Sequence, residues 1–516
     1  MVFSDARAFL SRNFLLIIIL VIALFMRGQH LSQPFIDVFS WRQASTAMMA
    51  QNYFLNNWNI FYPEVNWTGV GPGYQGREFQ TVSYLAAIAY QFFGQHDMIG
   101  RMIAISFGLW GIFALYQLVL LVWDKKHALA AATMMAILPG SAFTDRSFLP
   151  DPAMVSLTTT CMWLFVLYLY QEKTRYLVLA AMIGCLGILT KIPGLIIGLP
   201  MLYAFITLYK KRGVKDFPRL KPVLLTLALV LIPVVAYYLW ARYLSLTYPP
   251  YHFAGSRNWI WNDWTAVFKE YFYFKNLKNI MEYWILGYPA IIFFILGLML
   301  PLAADDESRK SKVPRFFHFL LLGCVLYYFI GASELINNPW NFQLFLPVIS
   351  VFSGRLLVVL YNYGTAVDKV KQARLAFVIL LMLAYNVRIM RDYLFETKFA
   401  SDSHKLGTRL SSLKKPGDLV ITIAEVIGDP VAIYYSGGKG WVFPLDIGLA
   451  LSELPKDDPN LILALDDLKK QGADFFGIVD NHYQEIRREH PGLHAYLKSN
   501  MSMVNKTNDF VIFKWQ

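Results

Sequence analysis

The chain has 516 residues, of which 56% are hydrophobic and only 16% carry a formal charge. Soluble domains average roughly 45–50% apolar and about 25% charged residues. A soluble globule, a disordered chain and a disulfide scaffold are therefore excluded, and the composition indicates a polytopic membrane protein. The net charge of +12 is typical of basic cytoplasmic loops, since no basic–aromatic pattern for nucleic acid accompanies it. The three cysteines lie in apolar runs and predict neither a disulfide nor a metal site: Cys161, Cys185 and Cys324.

Apolar runs of spanning length recur along the chain. We predict eleven spans, the first of them uncleaved: Phe14–Met26, Ile99–Trp123, Ala128–Phe143, Pro152–Tyr170, Tyr176–Leu189, Ile192–Tyr209, Pro222–Leu244, Tyr283–Ala304, Phe316–Ala332, Phe342–Tyr361 and Leu375–Ile389. Lys and Arg concentrate in alternate loops, as in residues 210–221. This bias places the N-terminus in the cytoplasm and the C-terminus outside.

Two long segments follow spans one and seven on the predicted outer side. Residues 27–98 contain two predicted interfacial helices, Trp41–Asn57 and Phe79–Phe93, which mix aromatic and polar side chains. Residues 242–282 are rich in Trp and Tyr, which favour the membrane interface.

The composition changes near residue 400, where apolar runs shorten to strand length. Four strands and one amphipathic helix are predicted: Asp418–Ala424, Val431–Tyr435, Phe475–Val479 and Phe510–Trp515, with the helix at Leu461–Gln471. The predicted fold class is an all-α polytopic membrane protein with a C-terminal soluble α/β domain. We expect a membrane module over 1–399, able to fold alone, and an extracytoplasmic domain over 400–516.

Three ionisable residues lie near the outer ends of spans: Asp37, Asp151 and Lys191. Ionisable groups at a membrane boundary usually face a cavity, because facing lipid is costly. Structural roles are the alternatives. Asp151 before a proline is typical of a helix start, Asp37 is able to pair with Arg42, and Lys191 is able to reach the lipid headgroups.

The sequence contains no Walker loop, zinc motif or nucleophile elbow. The glycine-rich segment Gly69-Val70-Gly71-Pro72-Gly73 lacks the strand–helix context of a phosphate-binding loop. We interpret it as a mobile loop.

Four motifs follow one another along the first half of the chain: Asp37 followed by Trp41-Arg42-Gln43-Ala44, then Arg77-Glu78-Phe79-Gln80 with Tyr84 and Gly94, then Phe148-Leu149-Pro150-Asp151-Pro152, and Thr190-Lys191-Ile192-Pro193. Their order and spacing resemble the GT-C glycosyltransferases. Over about residues 10–240 they are similar to the dolichyl-phosphate-mannose-protein mannosyltransferase-like family, which includes lipid A aminoarabinose transferases. The chain departs from the aminoarabinose transferases at Val38, where they have Glu, and at Phe79-Gln80-Thr81, where they have Lys-Pro-Pro. The sugar therefore does not carry over.

The resemblance implies transfer of a sugar from a polyprenyl-phosphate donor to a lipid, glycan or protein acceptor, in a bacterial inner membrane. Asp37 is then the general base of an inverting displacement, and Asp151 positions the sugar or acceptor. Binding of the donor phosphate or substrate falls to Lys191, Arg42, Glu78, Arg101, His252 and Arg257. No cofactor is indicated, and the need for a divalent metal is left open. The rival class is a transporter or flippase of lipid-linked sugars, although no inverted repeat is visible.

Overall fold

The computed structural model describes residues 2–212, 220–251, 266–301, 311–363, 367–395, 398–444, 451 and 454–516. The first part of the chain is helical. Its α-helices are α1 (Val2–Arg27), α2 (Ser40–Leu55), α3 (Thr81–Phe93), α4 (Asp97–Val122), α5 (Lys125–Ile137), α6 (Pro139–Thr144), α7 (Asp151–Gln171), α8 (Thr174–Thr190), α9 (Gly198–Arg212), α10 (Leu220–Thr247), α11 (Ala266–Lys269), α12 (Tyr271–Ile280), α13 (Gly287–Met299), α14 (Phe316–Asn337), α15 (Leu346–Asn362) and α16 (Asp368–Met390). Short 3₁₀ segments, Ile192–Ile197 and Pro339–Phe345, precede α9 and α15.

Helices of spanning length and apolar composition dominate this part. Among the described residues six helices meet both criteria, and α12 with α13 forms a further pair bent by 108°. Shorter apolar helices cover Asn13–Arg27, Thr81–Phe93, Thr174–Thr190 and Phe316–Ala332. The polytopic helical fold class is confirmed, while the number of eleven spans stays a prediction.

Two predicted spans differ in detail from the helices observed. The run Ala128–Phe143 is divided between α5 and α6, because Leu138 before Pro139 adopts the extended backbone that a following proline favours. The run Tyr283–Ala304 begins its straight helix only at Gly287, whose φ of +73° breaks the preceding π turn.

The C-terminal domain is built on a five-stranded sheet in the order β2-β1-β3-β5-β4. Its strands are β1 (Leu419–Ile423), β2 (Gly440–Val442), β3 (Ala473–Val479), β4 (Met501–Lys506) and β5 (Phe510–Trp515), and its helices are α17 (Ser401–Leu413), α18 (Val431–Ser436), α19 (Pro459–Lys470), α20 (Asp480–Glu489) and α21 (Pro491–Asn500). Strands β2, β1 and β3 are parallel, whereas β5 and β4 join antiparallel. The predicted soluble α/β domain is confirmed.

One predicted strand of this domain is wrong. The run Val431–Tyr435 forms α18, because Pro430 precedes the helix, the Asp429 carboxylate accepts the Val431 N–H at 2.8 Å, and Gly437 ends it in a left-handed conformation. These start and stop signals outweigh the β-propensity of Val, Ile and Tyr.

The long segment after α1 lies against the C-terminal domain. Helix α3 exposes an apolar face, as an interfacial helix does, but α2 is buried along most of its length. The prediction that α2 lies on the membrane surface is therefore wrong. One hydrophobic core contains Phe35 and Met48 from the segment together with Leu406, Val420 and Ile512 from the domain.

The glycine-rich segment is held by this domain rather than free. Gly69 N–H donates to the carbonyl of Gly440 at 2.8 Å, and Gly440 N–H donates to the carbonyl of Asn66 at 2.9 Å. Thr68 forms an antiparallel bridge with Trp441. The segment thereby covers the β2 edge of the sheet, which corrects its interpretation as a mobile loop.

Candidate active site

A small, partly open cavity lies where the segment after α1 meets the membrane helices. Arg42 of α2, Pro150 immediately before α7, and the chain leading into α3 all line it. The remaining lining residues are Thr46, Met49, Arg77, Glu78, Phe79, Gln80, Val82 and Ser83. Three of the four motifs singled out in the sequence thus meet at one cavity.

Beside this cavity, Asp151 and Lys191 form a close ion pair. Lys191 Nζ donates to Asp151 Oδ1 at 2.6 Å and to Asn341 Oδ1 at 2.5 Å. Asn341 in turn donates to Glu334 Oε1 at 3.5 Å. Asp151 is the first residue of α7, yet it makes no capping hydrogen bond, and its Oδ2 has no hydrogen-bond partner among the described residues.

Two arginines line the cavity and differ in their partners. The Arg42 guanidinium is bound to the Glu78 carboxylate. Arg77 is 9% exposed, and its Nε and Nη1 have no hydrogen-bond partner within the described ranges. A buried cation without a partner is costly, so this guanidinium is suited to receive an anion.

Burial shifts the pKa values of the ionisable side chains in this cluster. Burial lowers the pKa of Arg42 to about 10 against the opposing effect of Asp151 and Glu334. It lowers the pKa of Lys191 in the same way, opposed chiefly by Asp151. It raises the pKa of Glu334 to about 7, although Lys191 acts in the other direction.

Asp37 lies in a second, fully buried cluster. Its Oδ1 accepts hydrogen bonds from Phe39 N–H at 2.9 Å and Gln43 Nε2 at 2.7 Å. Its Oδ2 has no hydrogen-bond partner in the described part of the chain and faces Arg101 Nη2 at 3.9 Å and Arg146 Nη1 at 3.8 Å. Burial and the neighbouring Arg101 lower the pKa of Arg146 to about 9, which Asp37 opposes.

Gln43 links this cluster to the third motif, which begins at Phe148. Its side-chain amide donates to Asp37, and its Oε1 accepts the N–H of Phe148 at 3.1 Å. Phe39, beside Asp37, contacts the Trp340 ring at 5.0 Å, and Trp340 precedes the Asn341 that binds Lys191. The two clusters therefore share supporting side chains.

The structure brings together four of the predicted site residues, Asp151, Lys191, Arg42 and Glu78, and places Asp37 with Arg101 in the adjoining cluster. The structural roles considered for Asp37 and Lys191 named the wrong partners. Asp37 faces Arg101 and Arg146 rather than Arg42, and Lys191 binds Asp151 rather than extending to headgroups.

Two predicted residues, His252 and Arg257, lie outside the described residues. Among the described residues no group of three or more His, Cys, Asp or Glu is placed to hold a metal ion.

Sequence reasoning missed Glu334, Asn341, Arg77 and Arg146 as members of these clusters. Glu334 had a readable signal, because an ionisable residue at the end of a long apolar helix usually faces a cavity. Arg77 was quoted within a motif, but nothing in the sequence distinguishes a paired arginine from an unpaired one.

Comparisons with known proteins agree with this architecture. The apo structure of ArnT from Cupriavidus metallidurans superposes with a TM-score of 0.62 at 12% identity, covering 99% of this chain and 98% of that one. The same protein bound to undecaprenyl phosphate superposes with a TM-score of 0.59 at 11% identity, covering 98% of this chain and 97% of that one. A third similar structure is the archaeal oligosaccharyltransferase AglB from Archaeoglobus fulgidus in complex with an inhibitory peptide and a dolichol-phosphate. It superposes with a TM-score of 0.58 at 13% identity, covering 98% of this chain and 75% of that one.

The chain is therefore an integral membrane protein with the fold of the GT-C glycosyltransferases, which confirms the resemblance seen in the sequence. Within that fold class, the sequence model of the dolichyl-phosphate-mannose-protein mannosyltransferase family matches residues 81–240. No curated protein sequence matches the chain.

Proposed function

We propose that this protein is a membrane glycosyltransferase that moves a sugar from a polyprenyl-phosphate donor to a lipid, glycan or protein acceptor, on the outer face of a bacterial inner membrane. The observation that carries the proposal is the buried, unpaired guanidinium of Arg77 in a cavity beside Asp151 and Lys191. The fold and the family match of residues 81–240 support it. Undecaprenyl phosphate and dolichol-phosphate occupy two of the similar structures.

In this proposal Arg77 receives the donor phosphate. The other cations of the two clusters already have partners within the described chain. Lys191 pairs with Asp151 and Arg42 with Glu78. Arg101 donates to backbone carbonyls before Asp37, and Arg146 donates to the carbonyl of His30 and faces Asp37. A phosphate at Arg77 restores charge balance in a partly desolvated cavity. Arg42 adds attraction from the cavity wall, and Lys191 adds attraction from beside the cavity.

Asp37 is the general base, and Asp151 positions the sugar or the acceptor. An acceptor hydroxyl gives its proton to Asp37 Oδ2 while its oxygen forms a bond to the anomeric carbon. The bond from that carbon to the phosphate oxygen breaks, and the polyprenyl phosphate leaves as an anion held by Arg77. Asp37 Oδ2 and Asp151 Oδ2 are both buried, and each has no hydrogen-bond partner in the described residues.

The test uses purified protein in lipid nanodiscs with a polyprenyl-phosphate sugar and measures release of polyprenyl phosphate. Asp37→Asn should bind the donor but turn over about 10²–10⁴-fold more slowly, because the amide does not accept the proton. Arg77→Gln should instead weaken donor binding. Asp467→Asn and Arg409→Gln, both at exposed positions of the C-terminal domain, are the matched controls.

Each outcome bears on one part of the proposal. Asp37→Asn with normal turnover moves the base to Asp151, and Arg77→Gln with normal donor affinity removes the phosphate assignment. Donor that crosses the bilayer of a proteoliposome without any release of polyprenyl phosphate would favour the transporter class instead.

A further inference from the structure

The C-terminal domain contacts the chain immediately before Asp37. Phe35 N–H donates to Tyr435 Oη at 2.6 Å, and Ala400 N–H donates to the carbonyl of Ile36 at 3.0 Å. Both bonds reach the backbone within two residues of the carboxylate that we propose as the general base.

Helix α4 holds the same segment from the other side. The Arg101 guanidinium lies 4.9 Å from the centre of the Phe35 ring and donates to the carbonyls of Leu31 at 3.1 Å and Pro34 at 3.0 Å. The same guanidinium faces Asp37. The position of Asp37 relative to Arg101 therefore depends on how the short segment 31–36 lies between α4 and the domain.

Tyr435 is itself fixed to α4. Its hydroxyl donates to Asp97 Oδ2 at 2.6 Å, and the Tyr434 hydroxyl donates to Asp97 Oδ1 at 2.9 Å. Asp97 begins α4, one turn before Arg101 on the same helix. A series of contacts thus runs from Asp97 on α4 to Tyr435 of the C-terminal domain, then to Phe35, and back to Arg101 on α4.

We propose that Tyr435 is a positioning residue for Asp37, so that the C-terminal domain completes the active site of the membrane module. The inference rests on the proposed function for its catalytic consequence. The Tyr435 hydroxyl accepts the Phe35 N–H while donating to Asp97, which sets the backbone two residues before Asp37. Asp37 Oδ1 is already held by Phe39 and Gln43, so a shift at Phe35 changes the direction of Oδ2. Displacements of about 1 Å at a reacting group cost up to about 10²-fold in rate.

The test compares three tyrosine variants in the full-length protein. Tyr435→Phe removes the acceptor of the Phe35 N–H together with one bond to Asp97. Tyr434→Phe removes a bond to the same carboxylate but leaves the Phe35 bond in place. Tyr496→Phe removes a hydroxyl that binds Asp466 within the C-terminal domain, away from the membrane module.

Two readouts are measured on each variant. Hydrogen–deuterium exchange over residues 31–39, without substrate, should be about tenfold faster in Tyr435→Phe and near wild type in the other two. Steady-state kinetics should give a kcat about ten- to a hundredfold lower for Tyr435→Phe with an unchanged KM for the donor. Tyr496→Phe should match wild type in both readouts.

The outcomes separate this inference from the proposed function. Wild-type exchange and wild-type kcat in Tyr435→Phe would overturn the inference. A wild-type protein that releases no polyprenyl phosphate would overturn the proposed function, while the exchange data still decide whether Tyr435 holds the segment. If Tyr435→Phe does not fold, Asp97→Asn takes its place, because it removes the charge that orients the Tyr435 hydroxyl and should show the same two changes.

Discussion

Glu334 lies near the end of α14, a helix that is otherwise almost entirely apolar. Its carboxylate accepts hydrogen bonds from the side chains of Asn338 and Asn341. Burial raises its pKa to about 7, so its charge changes within the physiological range. The donor phosphate, a diester, keeps a single negative charge over the same range. Within the cluster around Lys191, Glu334 is therefore a group whose titration makes donor binding depend on pH.

We predict that donor affinity falls as pH rises through 7. Below that value Glu334 is protonated and neutral, whereas above it the carboxylate competes with the donor phosphate for Lys191. The dissociation constant should rise roughly five- to tenfold between pH 6 and pH 8, which corresponds to about 1 kcal/mol of screened charge interaction. Glu334→Gln should flatten this profile, and Glu172→Gln, exposed at the opposite end of α7, should not. Donor affinity that is equally pH-dependent in Glu334→Gln would assign the effect to another group.

The site residues that the sequence did predict were those embedded in motifs. Asp151 lies between two prolines and Lys191 lies two residues before one, each at the end of an apolar run, and that local pattern is readable without a structure. Glu334 and Asn341 come to Lys191 from about 150 residues further along the chain. Only tertiary packing brings them there, so no local pattern reports the contact.

The junction between the segment after α1 and strand β2 is set by glycine. Gly69 has a φ of +94°, and a Cβ there would lie 2.4 Å from Trp441 Nε1. Gly71 lies two residues further on, is exposed, and a Cβ there would meet no atom within 4 Å. Backbone conformation and steric fit therefore both require glycine at the first position only.

We predict that Gly69→Ala lowers the free energy of unfolding by about 1–3 kcal/mol, since it adds both left-handed strain and a clash with the Trp441 indole. Gly71→Ala should change it by no more than about 0.5 kcal/mol. Thermal unfolding of both variants in the same detergent gives the measurement. Equal midpoints for the two variants would mean that this junction contributes nothing to stability.

Helices and strands were predicted correctly where the length of an apolar run and its periodicity indicate the same element. They were missed where strand-like composition is opposed by helix start and stop residues, or where a strand is very short. Strand β5 was predicted at its observed bounds because its apolar run is bordered by polar residues. The run Val431–Tyr435 has the composition of a strand, but Pro430 and Gly437 place a helix there. Strand β2 has only three residues and depends on pairing with Val420–Thr422, so composition alone does not reveal it.

At the scale of the whole molecule, the membrane module and the C-terminal domain share one hydrophobic core. Phe35, Tyr53 and Tyr90 from the first part pack in the same cluster as Leu410 and Val442 from the last. The ion pair of Lys439 with Glu64, at 2.6 Å, adds a polar contact at the edge of the sheet. The C-terminal domain therefore contributes to the hydrophobic core of the membrane module.

We predict that truncation after Phe399 yields a protein that aggregates or fails to accumulate, because it exposes the apolar face formed by α2 and its neighbours. This reverses the expectation drawn from composition alone. Size-exclusion chromatography of the truncated and full-length chains in the same detergent is the measurement. A monodisperse truncated protein with an intact thermal transition would restore the view of two independent modules.

The edge contact between Glu64 and Lys439 also has a meaning for biosynthesis. The two residues are 375 positions apart in the chain. At a translation rate of about 5–20 residues per second, strand β2 is synthesised roughly 20–75 s after the segment that contains Glu64. During that interval its hydrogen-bonding groups and the apolar side of α2 have no native partner from the C-terminal domain. The nascent chain therefore passes through a period in which chaperones and proteases have access to this segment.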